Sequence, residues 1–342
     1  PDEIMSIYSN EEDVISEGAK YLKVTAFIFL PHGISLVLTN VIRAIGNAKL
    51  GLITSVISFF VNVFFNWVFI FGKLGVPAMG IAGAALGTLC ARVVEVAACA
   101  VYMMKYEKQL NYKLSGLIKL PSKAMFREFV RLGLPALISD FILALAASAT
   151  SMILGRMGKE VVSAYAIVTV LDRMCTVAIS GVASAAGVVI GQTVGSGDEK
   201  QAQRQGYTFL ILSIGIGIVG GLLVLLVGTW SIGLYDIAPS TVLITQEMMD
   251  MSAIIVFFQS IQSAMSKGIL RGGGDTRFLM IADVLFQWCL SIPLGYLVGI
   301  VLGWAPYWAL LALRIDYVIK AVWLVWRLRG GKWIHRARKI EA

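Results

Sequence analysis

The sequence predicts an all-α integral membrane protein made of two parallel-repeat helix bundles, and three observations predict this fold class. Hydrophobic residues make up 58% of the 342 residues and charged residues only 15%, whereas a soluble domain is about 45–50% apolar and about 25% charged. Nine apolar stretches are each long enough to cross a hydrocarbon core about 30 Å thick. A short motif containing Arg and Gly occurs in both halves of the chain. Part of the protein surface is therefore expected to face lipid rather than water.

Nine membrane-spanning helices are predicted, because each span needs about 20 predominantly apolar residues. Strands of a membrane β-barrel would alternate polar and apolar residues, and stretches such as 209–226 do not alternate. Proline or small-residue pairs lie inside several stretches, which a helix bundle tolerates. The predicted spans are residues 20–43, 50–72, 80–104, 126–153, 161–190, 207–235, 244–268, 278–302 and 306–326.

The positive charges are concentrated in alternate loops of this predicted topology. Lysines and arginines follow the first, third, fifth, seventh and ninth spans, and they include a dense run between Lys105 and Arg131. The other loops carry few of them, so the positive-inside rule places the odd-numbered exits and the C-terminus in the cytoplasm. The net charge of +8 is thus an orientation signal in a multi-pass plasma-membrane protein, and nucleic acid is not an expected partner.

An internal repeat relates the two halves of the chain. The segment around residue 43 reads VIRAIGNAKLGLIT, and the segment around residue 271 reads ILRGGGDTRFLMIA. Both segments fall on the predicted cytoplasmic side, so the repeat is parallel, as it is in one class of secondary transporters. The matched residues are Arg43 with Arg271, Gly46 with Gly274, Asn47 with Asp275 and Lys49 with Arg277.

The repeat also predicts the domain organisation. Residues 126–342 hold six spans and a basic tail, whereas residues 1–104 hold three spans that match the last three of those six. Residues 105–125 form the predicted cytoplasmic linker. Residue 1 would lie outside the cell, among acidic residues and without a signal peptide. We therefore expect three further helices ahead of residue 1, which would complete two six-helix lobes.

Two carboxylates inside the predicted spans are candidates for ion or proton coupling, because ionisable groups are costly in a bilayer and mark functional sites. Asp140 lies early in the fourth span and Asp172 lies midway along the fifth. Either carboxylate could exchange a proton, and Asp140 could hold Na⁺ together with an oxygen such as that of Ser139. The alternatives are that Asp140 complements the positive end of its helix and that Asp172 forms a structural pair with another helix.

Further polar groups share helix faces inside the spans. Asn62 and Asn66 are four residues apart, so they lie on one face of their helix. Four more polar residues could line a substrate cavity or a cation site, and interhelical hydrogen bonding is the competing interpretation. These four are Gln259, Gln262, Asp283 and Gln287.

Opposite charges recur in the third and ninth spans, which correspond in the repeat. Arg92 and Glu95 are three residues apart, so an ion pair within one helix is possible. Arg314 and Asp316 are two residues apart, so they face different ways and need other partners. We interpret both pairs as structural or gating charges.

Five sequence stretches follow one another in an order typical of one transporter family. They are Asn62-x-x-x-Asn66 running into FIFGKLGVPAMGIAGAALGT and Arg92, LGLP at 132–135, VVIGQTVGSGDEKQAQR at 188–204, LRGGGDT at 270–276, and GKW at 331–333. In these stretches the chain resembles the multidrug and toxic compound extrusion (MATE) family. The resemblance implies two six-helix lobes that alternate between inward- and outward-open states. It also implies efflux of cationic, aromatic compounds coupled to Na⁺ or H⁺ entry, with no other cofactor.

The same resemblance bears on individual residues. Relatives often carry a carboxylate near the position of Asp140, and many carry Asp where this chain has Asn66. An acidic residue that is common in one branch of the family would fall at Ser260. The resemblance therefore leaves Asn62 and Asn66 as the polar part of an N-lobe ion site without its titratable group, and coupling is expected at Asp140 and Asp172.

These observations predict a monomeric secondary exporter of organic cations or drugs, driven by Na⁺ or H⁺ antiport through alternating access. A lipid-linked sugar flippase of the same superfamily is the alternative, and the scarcity of cations inside the spans counts against it. An enzyme is not expected. The glycine-rich turns at 195–197 and 272–275 lack the phosphate-loop pattern, and the sequence contains no zinc-protease or nucleophile-elbow motif.

Overall fold

The structure of the protein, a computed structural model, describes residues 12–44, 46–105, 122–235 and 237–335. Within these ranges the backbone is almost entirely helical and contains no strand. The predicted all-α fold class is therefore confirmed. Most of the predicted linker at 105–125 lies outside the described residues, since 106–121 are not among them.

Eight helices of the described chain are long and apolar enough to cross a membrane. A helix satisfies its own backbone hydrogen bonds, which is the condition for crossing a bilayer. These eight are α1 (Glu12–Ala44), α2 (Ala48–Phe71), α3 (Gly80–Lys105), α4 (Lys123–Arg156), α5 (Lys159–Ser196), α6 (Glu199–Ile232), α7 (Pro239–Leu270) and α8 (Thr276–Val301). Two shorter helices follow, α9 (Pro306–Leu313) and α10 (Ile315–Arg329).

The ninth predicted span, residues 306–326, is not one continuous helix, and the predicted count of nine long spans is not confirmed. The backbone leaves the helical conformation at Arg314, with φ −115° and ψ 6°, and this break separates the short helices α9 and α10. The Arg314 guanidinium donates hydrogen bonds to the hydroxyls of Tyr317 (2.7 Å) and Tyr165 (3.2 Å). The backbone N–H of Asp316 donates to Ser291 Oγ at 3.0 Å. Side-chain partners thus satisfy polar groups at the break, as a membrane bundle requires.

The chain divides into two compact units, Pro1–Leu120 and Pro121–Ala342. In the first unit α3 packs closely against α2 because glycines face that helix. A Cβ atom added at Gly83 would lie 2.6 Å from the carbonyl oxygen of Phe69. Small residues allow helix backbones to approach in this way inside membranes.

The close contact at Gly83 predicts a measurable cost for one added methyl group. We expect Gly83→Ala to destabilise the protein by about 1–3 kcal/mol, because overpacking forces the backbones of α2 and α3 apart. Gly33→Ala is the matched control, since a Cβ at Gly33 in α1 meets no atom within 4 Å. Thermal unfolding in detergent micelles measures both variants. A Gly83→Ala protein that melts with or above Gly33→Ala would contradict the packing.

The second unit holds helices α4–α10, and α7 has many buried side chains along its length. Its hydrophobic core has one cluster around Leu171, Met248 and Leu313 and another around Met265 and Leu324. Both clusters include side chains of α5, α6 and α7, and the first adds side chains of α9 and the second side chains of α10.

Two helices of the second unit contain π-helical turns. In α7 the segment Ala264–Leu270 is π-helical, and in α8 the segments Val284–Ser291 and Leu297–Val301 are. Such widened turns occur frequently at functional sites. The first π-helical segment of α8 begins directly after Asp283.

The glycine-rich turns are tight helix–helix connections. Gly197 and Gly274 adopt positive φ angles of +92° and +85°, a conformation that glycine adopts without steric cost. The C-terminal GKW segment packs beside the second of these turns, where the backbone N–H of His335 donates to the carbonyl oxygen of Gly273 at 2.8 Å.

Candidate functional site

A buried charge cluster lies inside the second unit. Lys320 Nζ is 3.0 Å from Asp283 Oδ1 and 3.1 Å from Asp316 Oδ2, and each of the three side chains is at most 3% exposed. Isolated charges at such depth would be strongly unfavourable, so the three groups depend on one another for compensation. We call Asp283, Asp316 and Lys320 the buried charge cluster.

Three helices position the buried charge cluster. Asp316 and Lys320 lie one turn apart on α10. Asp283 is the last residue of the first, regular α-helical part of α8. Ser139 of α4 donates a hydrogen bond to Asp283, and Ser291 Oγ of α8 lies 3.4 Å from Asp316 Oδ1. A change of charge at Asp283 therefore acts directly on the contact between α4 and α8.

The buried charge cluster has unequal numbers of positive and negative groups. With two carboxylates and one ammonium group, its formal charge is −1 when all three are ionised. Neither Lys320 Nζ nor Asp316 Oδ2 makes a well-aligned hydrogen bond within the part of the chain that the structure describes. The contacts are thus ion pairs, in which two carboxylates share one ammonium group.

Asp172 belongs to a second group of polar side chains, which lies where α5 contacts α7. The Ser252 hydroxyl of α7 donates a hydrogen bond to its carboxylate. One turn further along α5, Thr176 Oγ1 accepts a bond from Gln259 Nε2 at 3.3 Å. The structure therefore brings Asp172 and Gln259 into the same helix contact, whereas Gln262 is buried without belonging to it.

The side chain of Asp140 contacts Arg271 at the α7–α8 turn and does not share a partner with its neighbour Ser139. Its Oδ1 is 3.1 Å from Arg271 Nη2, and 57% of its side chain is exposed. The neighbouring oxygen that the sequence suggested as a co-ligand for Na⁺, that of Ser139, bonds Asp283 instead. The role of Asp140 in coupling stays a prediction.

The first unit holds a separate polar cavity of about 410 Å³ between α2 and α3. Asn66 Nδ2 donates to Asn62 Oδ1 at 3.1 Å, and Asn62 donates to Thr88 at 3.3 Å. The predicted pair between Arg92 and Glu95 is present, at 2.7 Å. This cavity is polar and contains one carboxylate, which is already paired.

The two matched charge pairs have different partners. In the first unit Arg92 binds its helix neighbour Glu95. In the second unit Arg314 binds two tyrosine hydroxyls, while Asp316 pairs with Lys320. Buried Gln287 lies on α8 just beyond Asp283. The predicted charges are thus present as contacts, and their division into structural and gating roles stays a prediction.

Sequence reasoning missed Lys320. The signal was available, because Asp316 and Lys320 are four residues apart and must share a face of any helix that contains them. The spacing test that linked Asn62 to Asn66 would have linked this pair as well. The link from Lys320 to Asp283 on another helix carried no such signal.

Comparisons with known proteins agree with the helical architecture. A family model described as MatE matches residues 1–68 and 135–297. The chain is 26% identical over 341 residues to "Probable multidrug resistance protein NorM" of Thermotoga maritima, a match that covers 98% of this chain and 72% of that protein. It is 24% identical to "Multidrug resistance protein MdtK" of Yersinia pseudotuberculosis, over 86% of this chain and 65% of that protein.

Solved structures show the same fold. One is a crystal structure of MATE in the bent conformation, with a TM-score of 0.81 and 17% identity, covering 97% of this chain and 73% of that one. Another is the outward-facing conformation of a multidrug resistance MATE family transporter of the MOP superfamily, with a TM-score of 0.84 and 17% identity, covering 97% and 74%. The family model matches more than half of the chain, and this chain therefore belongs to the MatE family of membrane transporters.

Proposed function

We propose that the protein is a secondary active exporter of organic cations or drugs, and that proton entry through the buried charge cluster drives the export. Residues 1–104 belong to one lobe and 126–342 to the other, and the two lobes carry out alternating access in the plasma membrane. The basic C-terminus lies in the cytoplasm. The names of the relatives, multidrug resistance proteins NorM and MdtK, support drug-like substrates.

The observation that carries the proposal is that two buried carboxylates share one buried ammonium group. One proton on Asp283 would neutralise the cluster and leave Lys320 paired with Asp316 alone. The same proton would change the hydrogen bond that Ser139 of α4 makes to Asp283. A proton that is held more tightly in one conformation than in another shifts the balance between them, which is the requirement for coupling.

The tethered ammonium group favours a proton over Na⁺ as the coupling ion. Lys320 Nζ already lies within 3.1 Å of both carboxylates, so it occupies the position between them. A metal cation would need several oxygen ligands in the space that the ammonium group already fills. A proton needs only one carboxylate oxygen and little space.

The other predicted polar residues are candidates for substrate contact or for ion binding. Gln259, Gln262 and Gln287 offer neutral polar groups inside the second unit, which suit a cation that must be released again. Asp172 and Asn62 are the alternative candidates for ion binding, Asp172 through its carboxylate and Asn62 through its amide oxygen. Both are weaker candidates, because Asp172 is only half-buried and Asn62 carries no titratable group.

The test is ethidium transport in proteoliposomes, driven either by a pH gradient or by a Na⁺ gradient. We expect the pH gradient to drive transport, and we expect Asp283→Asn to reduce the rate at least tenfold, because the amide cannot release a proton. Asp250→Asn on the exposed face of α7 is the control and should transport normally. Transport by Asp283→Asn at the control rate would contradict the assignment of proton coupling to Asp283. Transport driven only by the Na⁺ gradient would contradict the proton as the coupling ion.

A further inference from the structure

A second cavity lies in the second unit, away from the buried charge cluster. Its volume is about 760 Å³. It is bounded by the first half of α4, the end of α5, the α7–α8 turn and His335. By the distribution of positive charge in the sequence, this end of the unit is the predicted cytoplasmic end. The cavity therefore opens where lipid headgroups meet the protein.

The wall of this cavity has two chemically different parts. One part is apolar, and its outer members Met125 and Phe129 are 55% and 71% exposed. The other part is basic and is formed by Arg131, Arg271 and Arg277. An apolar surface beside several guanidinium groups matches a molecule with a hydrocarbon part and an anionic head.

The two described carboxylates at the cavity are already paired with arginines. Asp275 lines the cavity, but it is already bound to Arg327 at 2.8 Å. Asp140 pairs with Arg271 at 3.1 Å. Of the wall arginines, Arg277 makes no ion pair with a carboxylate of the residues that the structure describes. An arginine without a carboxylate partner repels the organic cations proposed as cargo, so its charge favours an anionic ligand here.

We propose that this cavity binds the phosphate headgroup of an anionic phospholipid, with the acyl chains lying along Met125 and Phe129. Arginine suits this role because its fork of N–H groups binds phosphate oxygens in pairs. Basic pockets between membrane helices on the cytoplasmic side bind such headgroups. The bound phosphate competes with Asp140 for Arg271, so anionic lipid loosens the ion pair that joins α4 to the α7–α8 turn.

The test is lipid binding to the detergent-purified protein, measured by the rise of the melting temperature and by native mass spectrometry. The probes are phosphatidylglycerol, phosphatidylcholine with the same chains, and inorganic phosphate. We expect phosphatidylglycerol to bind and stabilise the protein, and Arg277→Gln to weaken this binding at least tenfold. Arg204→Gln, an exposed arginine of α6 outside the cavity wall, is the matched control and should bind as the unmodified protein does.

Three results would overturn the proposal. Equal stabilisation by phosphatidylcholine would mean that the headgroup charge is not recognised. An equal effect of inorganic phosphate would make the cavity a site for a free anion rather than a lipid. Equal binding by Arg277→Gln and Arg204→Gln would assign the effect to the basic surface in general. The Asp283→Asn variant should keep full lipid binding, which separates this proposal from proton coupling.

Discussion

Replacement of Lys320 by methionine is expected to lower the free energy of unfolding by about 3–5 kcal/mol, the usual cost of removing one partner from a buried ion pair. The methionine fills a similar volume, so the loss is electrostatic. It leaves Asp283 and Asp316 without the ammonium group that both contact, although their side chains are at most 3% exposed. Protons neutralise carboxylates, so we expect the loss to shrink as the pH is lowered. Denaturation in mixed micelles followed by circular dichroism measures the change.

Two further variants make this result specific. Lys267→Met removes a lysine from the exposed side of α7 and should change stability by less than about 0.5 kcal/mol. The double variant Lys320→Met with Asp316→Asn restores the original formal charge of −1 and leaves Asp283 with its bond from Ser139. We expect it to recover at least half of the lost stability. Equal stability of Lys320→Met and Lys267→Met would show that the lysine does not compensate the carboxylates.

Most of the helices could be predicted from the sequence, because their limits depend on local chemistry. Asn47 caps α2 by accepting the backbone N–H of Leu50, and Asp198 caps α6 in the same way. Gly72 ends α2 in a left-handed conformation. Such residues act within one turn of their own position, so a reader of the sequence sees both partners together.

The break at Arg314 could not be predicted, because one of the two partners of its side chain lies far away in the chain. The average apolarity of residues 306–326 is high enough for a continuous span. The Arg314 guanidinium bonds Tyr317, three residues further on, and also Tyr165 on α5, 149 residues earlier. Only the packed bundle brings this hydroxyl to the arginine.

The contacts of the candidate site show the same difference between local and distant partners. Spacing alone predicts contacts within one helix, such as Arg92 with Glu95, and it would also have predicted the Asp316–Lys320 pair. Contacts between helices have no such signal: Ser139 and Asp283 are 144 residues apart, and Asp140 and Arg271 are 131 apart. A sequence therefore predicts which helix carries a charge more readily than it predicts which charges meet.

Replacement of Trp333 by alanine is expected to cost about 3–5 kcal/mol, as for other large buried aromatic side chains. Trp333 is fully buried although it lies beyond the last helix. Its Nε1–H donates to Gln203 Oε1 at 2.8 Å, and Gln203 Nε2 donates to the carbonyl oxygen of Leu328 at 2.8 Å. The ring therefore ties the C-terminal segment to α6 and, through Gln203, to the end of α10.

A graded series separates the packing of this ring from its hydrogen bond. Trp333→Phe keeps most of the apolar contact but leaves Gln203 Oε1 without its donor, so we expect a smaller loss of about 1–3 kcal/mol. Trp230→Ala removes a tryptophan that is 68% exposed on α6 and should cost far less than Trp333→Ala. Hydrogen exchange gives an independent readout, because the N–H of His335 donates to Gly273 and should exchange faster in Trp333→Ala. If exchange at His335 were unchanged while stability fell, the ring would support the bundle without holding the C-terminal segment to the α7–α8 turn.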